Sequence, residues 1–450
     1  MSKQSDIRLV RVESETEKFA YRTPLKFGGR VGTDVTLLHV TAEVETRDGR
    51  RGTGFGSMPI GHIWGWPAEK VDVEDTERAM IALGQRLARQ ANDYSEVGHP
   101  LEITHDLAKT YQPAADAVTT EAQLTEAMPK LAQLVSASPL EAAIHDAYGK
   151  ALGENTYNLL GPEFANRDLA TYLTEEFAGE FLDRYTLREP KPSMPIYHLV
   201  GALDPLTQAD VSKPIGDGLP ETLAEWIAFD GLTHLKIKLN GDHLDWDVDR
   251  VVAIERVAAE SQAARGCSQW CYSADFNEKC ENVEYVLGFL ARIKEQAPKA
   301  FERLQYIEQP TSRDLKAYPD NKMHAAARIK PVVIDEALVD FESLLLSREQ
   351  GYSGVALKAC KGHSEALLMG AAAQKYGMFL CVQDLTCPGA SFLHSATLSA
   401  RIPTVAAIEG NARQFVPVAN EGWAARFPSM FNITDGTLGT AVLNGPGLGF

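Results

Sequence analysis

Between positions 194 and 409 a short apolar run recurs eight times, with an amphipathic segment in each of the seven gaps. No other feature of the chain narrows its fold as much. The runs cover 195–200, 234–239, 270–275, 304–308, 332–335, 354–359, 378–384 and 405–409, all of strand length. The segments cover 221–229, 245–261, 281–296, a short stretch near His324, 340–349, 363–376 and 388–400, and read as helices. Strands that alternate with helices in this way form βαβ units, with parallel strands and the helices outside. Eight strands fit a closed barrel of (β/α)7β type. A doubly wound open sheet has the same local rhythm, so periodicity leaves it open.

The first third has a different texture. Positions 7–14 read as a strand, and 35–45 and 52–57 as a hairpin about the turn Arg47-Asp48-Gly49. Helices are expected over 74–92, 120–135 and 139–152, the last closed by Gly153. After Val416 the chain is rich in loops and ends Gly445-Pro446-Gly447-Leu448-Gly449-Phe450. The expected architecture is therefore α/β: a TIM-like barrel over 166–415, with an α+β capping domain built from 1–165 and from a tail, 416–450, that packs back on it.

A net charge of −17 argues against nucleic acid or an anionic membrane as partner, because both need a basic surface. It leaves a small anionic substrate open, since a few cations can make one pocket positive. Six cysteines without a second closely spaced pair read as free thiols, several of them on buried strands, in a reducing compartment. Met1 to Val10 is polar, and nowhere is there an apolar stretch long enough to span a bilayer. The expectation is a soluble, cytoplasmic protein.

Barrel enzymes place their reactive groups at the carboxyl ends of the strands. In chain order those ends carry Lys236 and Lys238, Asp275, Glu308, Asp335, Lys358, Asp384 and Glu409. Each has an ordinary reading. A lysine pair two apart is most often a solvated edge, a strand-end carboxylate most often hydrates a loop or caps a helix, and Lys358 alone is an ion-pair partner. The order changes the weighing. Lys236 and Lys238 share one face of a strand, and inside a barrel charge is either paired or used. Asp275, Glu308 and Asp335 end consecutive strands and would repel one another unless a cation sat among them. An all-oxygen set with room for water and substrate suits Mg²⁺, one divalent cation per site. Lys361, beside Gly362, reads as a helix-start or loop lysine with a structural role.

This set fits removal of the proton next to a carboxylate, a very weak acid because its loss puts a second charge on an anion. A cation on the carboxylate oxygens would stabilise the resulting enediolate. The base is expected to be a lysine whose pKa is lowered toward neutrality by a neighbouring lysine, the metal and burial.

At these residues the chain resembles the enolase superfamily, within it the muconate lactonizing enzyme subgroup. Lys236-Ile237-Lys238 is similar to its Lys-x-Lys, Asp275-Phe276-Asn277 to its Asp-x-Asn, Ile307-Glu308-Gln309-Pro310 to its Glu-Gln-Pro, Asp335-Glu336 to its Asp-Glu, and Leu357-Lys358 to its opposing lysine. The run Pro139-Leu140-Glu141-Ala142-Ala143 through Asp146, Lys150 and Leu159-Leu160-Gly161 is similar to the segment joining cap to barrel. The resemblance implies that Asp275, Glu308 and Asp335 are metal ligands, that Lys238 and Lys358 are the bases and that Lys236 contacts the substrate carboxylate. Asn277, Glu336, Asp384, Glu409 and Asn411 are expected around them. The capping loops map to Phe27 through Arg30 and to Ser57-Met58-Pro59, so Phe27, Arg30 and Met58 are expected substrate contacts. Positions 62–66 read as an aromatic lid or as a packed surface loop.

There are departures. Ala337 stands where serine is common, Lys361-Gly362-His363 lacks a Gly-Gly, and the 37 positions from Lys238 to Asp275 point to an extra loop near 262–269. Glu409-Gly410-Asn411 replaces the Asp-x-Asp of dipeptide epimerases, and no His-Asp pair of the mandelate racemase kind ends the sixth and seventh strands. The implied activity is racemisation or epimerisation of a small carboxylic acid, with amino-acid derivatives and dipeptides among the candidates, by a homo-oligomer. Cycloisomerisation of the muconate type and syn-dehydration use the same residues. An inactive ligand-binding barrel and a Schiff-base aldolase are the readings of other classes.

Overall fold

The computed structural model describes residues 3–27 and 30–450, without the side chain of Phe27. The expected substrate contact of Phe27 therefore lies outside the described residues.

Three antiparallel strands, β1 (Ile7–Phe27), β2 (Arg30–Thr46) and β3 (Arg51–Pro59), form the first sheet in that order. The hairpin between β2 and β3 turns at Gly49, whose φ of 87° suits only glycine without strain. β1 runs well past Ser14 because its far half pairs with the start of β2, as Ala20 with Asp34 and Leu25 with Gly32. Helices α1 (His62–Gly65), α2 (Val73–Ala91), α3 (Pro100–Ala108), α4 (Tyr111–Glu121) and α5 (Lys130–Leu152) follow.

The expected helices over 120–135 and 139–152 need correction. α4 ends at Glu121, and α5 runs unbroken through Pro139. Proline at 139 deprives the carbonyl of Val135 of its helical N–H, and Ser138 Oγ donates to that oxygen instead at 2.8 Å. α5 is buried nearly all round, so it lacks the amphipathic stripe that marks a surface helix. β3 packs on it through Gly52, Gly54 and Gly56, where a Cβ would strike the backbone of Ala147, Ala143 and Pro139.

Eight parallel strands make the second sheet: β4 (Met194–Val200), β5 (His234–Lys238), β6 (Cys271–Asp275), β7 (Leu304–Glu308), β8 (Val332–Ile334), β9 (Gly354–Leu357), β10 (Phe379–Val382) and β11 (Ile408–Glu409). β11 pairs with β4, Ile408 opposite Ile196, and the barrel closes. Outside it lie α6 (Leu223–Asp230), α7 (Leu244–Arg265), α8 (Val283–Gln296), α9 (Pro298–Arg303), α10 (His324–Ala327), α11 (Phe341–Glu349), α12 (His363–Lys375) and α13 (Ala390–Arg401). The extra loop expected near 262–269 is loop only from Gly266 (φ 69°), since α7 continues to Arg265.

The tail carries α14 (Ala412–Phe415), α15 (Glu421–Arg426), α16 (Pro428–Phe431) and β12 (Thr437–Leu438). It touches both halves: β12 pairs with β4, while Trp423 stacks on Phe55 and Leu448 N–H donates to Asp146 at 2.9 Å. All six cysteines are free, and only Cys271 and Cys381 lie on strands. Among the described residues, no helix is long and apolar enough to cross a membrane.

Candidate active site

Alternation along a strand sends every second side chain into the barrel. Tyr197, Tyr306, Val333, Ala356, Cys381 and Ala407 meet there as one apolar layer. Two positions further along their strands stand Glu308, Asp335, Lys358, Gln383 and Glu409, and Asp275 bears the same relation to Ser273. The charged groups thus form the next layer toward the strands' carboxyl ends, buried and mutually paired.

Lys236 lies at the centre. Its Nζ is 2.8 Å from Glu308 Oε1, 2.9 Å from Glu409 Oε2 and 3.2 Å from Asp275 Oδ2. Lys238 Nζ donates to Asp275 and, at 3.0 Å, to Asn277 Oδ1. Across the barrel Lys358 Nζ is 2.9 Å from Asp335 Oδ2. Lys361, read from sequence as a structural lysine, belongs here as well: its Nζ donates to Asp335 O at 2.5 Å and to Asp335 Oδ1 at 3.0 Å.

The backbone bends to make these contacts. Asn277 adopts φ 45° just past β6, and its amide N–H donates to Asp275 Oδ1 at 2.8 Å. Gln309, at φ 27°, ties two strand ends together, since its Oε1 accepts from the N–H of Asp335 at 2.9 Å and of Ala337 at 3.3 Å. Strain of this kind persists only where the surroundings fix it. Gln383 donates to Glu308. It was missed in the sequence, yet its inward parity with Cys381 was available there.

Of the remaining expected residues, Asp384 and Asn411 pair at 3.1 Å, and Asn411 Nδ2 reaches Glu409 Oε1 at 2.6 Å. Glu336 accepts from Trp64 Nε1 at 3.0 Å and from Asn277 Nδ2 at 3.4 Å. Trp64, in the expected lid, also covers Lys358, whose Nζ is 4.5 Å from the ring centroid. Arg30 donates to Ala68 O and lines, with Trp64, Asn277, Arg313 and Glu336, a cavity of about 330 Å³. A second cavity, about 60 Å³, reaches Lys238 and Asn277. Met58 does not fit its expected part. It is fully buried against Cys387 Sγ at 3.7 Å, because β3 turns that side chain into the core.

The electrostatics differ from the sequence argument. Lysines lowered toward neutrality were expected. Burial does work downward on Lys236, but Glu308, Glu409 and Asp275 outweigh it and push the ammonium up. Lys358 is pushed up in the same way, chiefly by Asp335. Burial works to raise Asp275 and Asp335; Lys238 and Lys236 hold Asp275 below the usual carboxylate range, and Lys358 and Lys361 hold Asp335 at about 2. Glu308 shares its lysine with two other acids, so burial and Asp275 leave it well above the ordinary value. Burial also pushes Glu336 and Asp384 up to about 7, helped by Asp335 in one case and Glu409 in the other.

Among the described residues, no three His, Cys, Asp or Glu side chains stand arranged to hold a metal ion as they are, because the lysines take the carboxylate oxygens. The donor set nevertheless fits one. Asp275, Glu308 and Asp335 are buried on adjacent strands, and the Lys236 ammonium stands in as the cation for the first two. Six buried carboxyls (Asp275, Glu308, Asp335, Glu336, Asp384 and Glu409) face four ammoniums, those of Lys236, Lys238, Lys358 and Lys361. The shortfall is the charge of one divalent cation, a burden otherwise met by protons.

Comparison with known proteins bears on the family and the fold. Residues 219–450 match the family model described as Enolase C-terminal domain-like. No curated protein sequence matches the chain. Solved structures of the same shape include a muconate lactonizing enzyme from Pseudomonas fluorescens complexed with muconolactone, at 18% identity and TM-score 0.58 over 98% of this chain and 96% of that one. The L-Ala-D/L-Glu epimerase of Bacillus subtilis gives 15% and 0.63 over 98% of each chain. A dipeptide epimerase from Cytophaga hutchinsonii, complexed with Mg and D-Ala-L-Val, gives 16% and 0.58 over 92% and 88%. At such identities the structural likeness bears on the fold alone. The family match spans more than half of the sequence and takes in every strand of the barrel but the first, and the chain belongs to the enolase superfamily.

Proposed function

We propose that this protein is a Mg²⁺-dependent isomerase that removes the proton α to a substrate carboxylate and returns it, racemising or epimerising a small carboxylic acid. The observation that carries this reading is the placement of two lysines. Lys238 ends β5 and Lys358 follows β9, four strands apart in a ring of eight and so on opposite walls. Asp275 and Glu308 end β6 and β7, and Asp335 follows β8, the three strands between them; these carboxylates would hold the cation. When bound, it supplies positive charge for the anion that forms as the α-proton leaves.

The chain's own residues do the rest. Asn277 and Asp275 hold Lys238 on one wall, and Asp335 holds Lys358 on the other. A carboxylate between the walls presents one face of its α-carbon to each amine. One lysine, as the free amine, takes the proton and the other, as the ammonium, returns one from the opposite side, which inverts the centre. A cation held by the three carboxylates would offset the charge of Asp335 that keeps Lys358 protonated. Trp64 and the loop that carries it limit access of water to Lys358. Amino-acid derivatives and dipeptides are the acids to try first, since epimerases of that class share the shape. The free thiols support a reducing, cytoplasmic setting.

The test is isotopic. Carboxylic acids incubated with the protein and Mg²⁺ in deuterated buffer should gain deuterium at the α-carbon. Lys238→Ala should slow exchange from one enantiomer and Lys358→Ala from the other, each by ~10²-fold. An active substrate indifferent to both substitutions would overturn the reading.

A further inference from the structure

The turn that carries two of the site's lysines is gripped from outside the barrel. After β9 the chain passes Lys358, makes a single 3-10 turn from Ala359 to Lys361, reverses at Gly362 (φ 103°, ψ 138°) and enters α12 at His363. Ser364 N–H, at the start of that helix, donates to Glu141 Oε2 at 3.1 Å. Glu141 lies on α5, in the N-terminal domain. Its other oxygen accepts from Tyr111 OH of α4 at 3.1 Å. A Cβ at Gly362 would stand 2.8 Å from both oxygens, so the carboxyl group lies against the bare backbone. The Ser364 hydroxyl is bound in the same way, 2.6 Å from Thr104 Oγ1 of α3 and 2.8 Å from His145 Nε2 of α5. Two helices of the N-terminal domain, α3 and α5, therefore grip one helix start of the barrel, and α4 supports Glu141 from behind. Glu141 is only 4% exposed.

We propose that Glu141 is a positioning residue of the active site: by fixing the Lys361-Gly362 turn against α5, it sets where Lys358 and Lys361 meet Asp335. The lever is short, since Gly362 adjoins Lys361, whose ammonium binds both the carbonyl and the carboxylate of Asp335. The inference goes beyond the proposed reaction and rests on it only for the consequence in catalysis. What Glu141 supplies is shape and acceptors. An amide at the same place presents its oxygen to Ser364 N–H and its nitrogen to the Tyr111 oxygen, so Glu141→Gln keeps the grip. Glu141→Ala removes both contacts and leaves a buried N–H unmatched.

Lysine acylation by acetic anhydride, followed residue by residue in the full-length protein by peptide mass mapping, reads the positions of these ammoniums without any substrate. In Glu141→Ala, Lys358 and Lys361 should be acylated about tenfold faster than in the wild type, the opening expected when one buried hydrogen bond is lost. Lys236 and Lys238 should keep their rates, and Glu141→Gln should match the wild type at all four lysines. If Glu141→Ala does not fold, Glu141→Asp, one methylene too short to reach Ser364, is read by the same criterion. Unchanged rates at Lys358 and Lys361 overturn the proposal, and so does a uniform rise at all four lysines, which would mean general loosening. With an acid that exchanges, Glu141→Ala should slow the Lys358 face more than the Lys238 face. If the acylation pattern holds but an active substrate is indifferent to Lys238→Ala and Lys358→Ala, the proposed reaction fails and the positioning role stands.

Discussion

Lys236 shows how single residues share charge in this site. One ammonium serves three carboxylates, and only Asp275 has a second lysine, Lys238, beside it. Removing a ligand should weaken cation binding without unfolding the barrel: Asp275→Asn should lower Mg²⁺ affinity at least ~10-fold by titration calorimetry, in line with loss of one charged ligand. Asp384 gives a pH signature. Its carboxyl sits at about 7 in the folded protein because of burial and Glu409, above its unfolded value of about 3.9. Between those values the folded state binds the extra proton, so stability is highest at the acid end and falls as pH rises toward 7. Asp384→Asn removes this contribution. Between pH 5 and 7 its unfolding free energy in urea should fall less steeply than that of the wild type, by about 1.4 kcal/mol per pH unit.

At the scale of elements, α1 and its flanking loop form the cover. Trp64 reaches Glu336 with its indole N–H and Lys358 with its ring face, so a four-residue helix of the N-terminal domain touches two groups of the barrel. A bound carboxylate ligand should slow amide exchange over residues 61–66 in the presence of Mg²⁺, read by mass spectrometry, and Trp64→Leu should lose most of that protection. The same substitution should cost about 2 kcal/mol in urea, from lost aromatic burial and the lost hydrogen bond to Glu336. These elements were legible to different degrees. The eight barrel strands stand within a few residues of their expected bounds because inward and outward positions alternate and most runs end in or next to a polar group. α5 was read as two helices because it is buried on all sides and holds Pro139, and neither feature reports the serine that repairs its backbone.

For the whole molecule, the last residues fasten the two halves. Leu448 is fully buried, its N–H binds Asp146 on α5, and Gly447 exchanges backbone hydrogen bonds with Glu154 and Thr156. Asp146 in turn holds Phe55 N–H of β3 at 2.9 Å. Deleting residues 445–450 should destabilise the protein by on the order of 5 kcal/mol in urea, the sum of one buried leucine and several buried hydrogen bonds. An unchanged transition midpoint would show that this segment is dispensable.

The sequence by itself placed the strands along the chain and the polar groups near the carboxyl ends of seven of them, because strand alternation is a local property. It also determined the imbalance of carboxylates over ammoniums at those ends. The closure of the sheet by β11 on β4 was decided by the tertiary structure. Only the tertiary structure decided which of these groups touch. It brought Lys361 into the site and buried Met58 against Cys387. It also placed Glu141 against Ser364, 223 positions along the chain. Such contacts depend on how two domains pack, and no local pattern of residues encodes the distance between them.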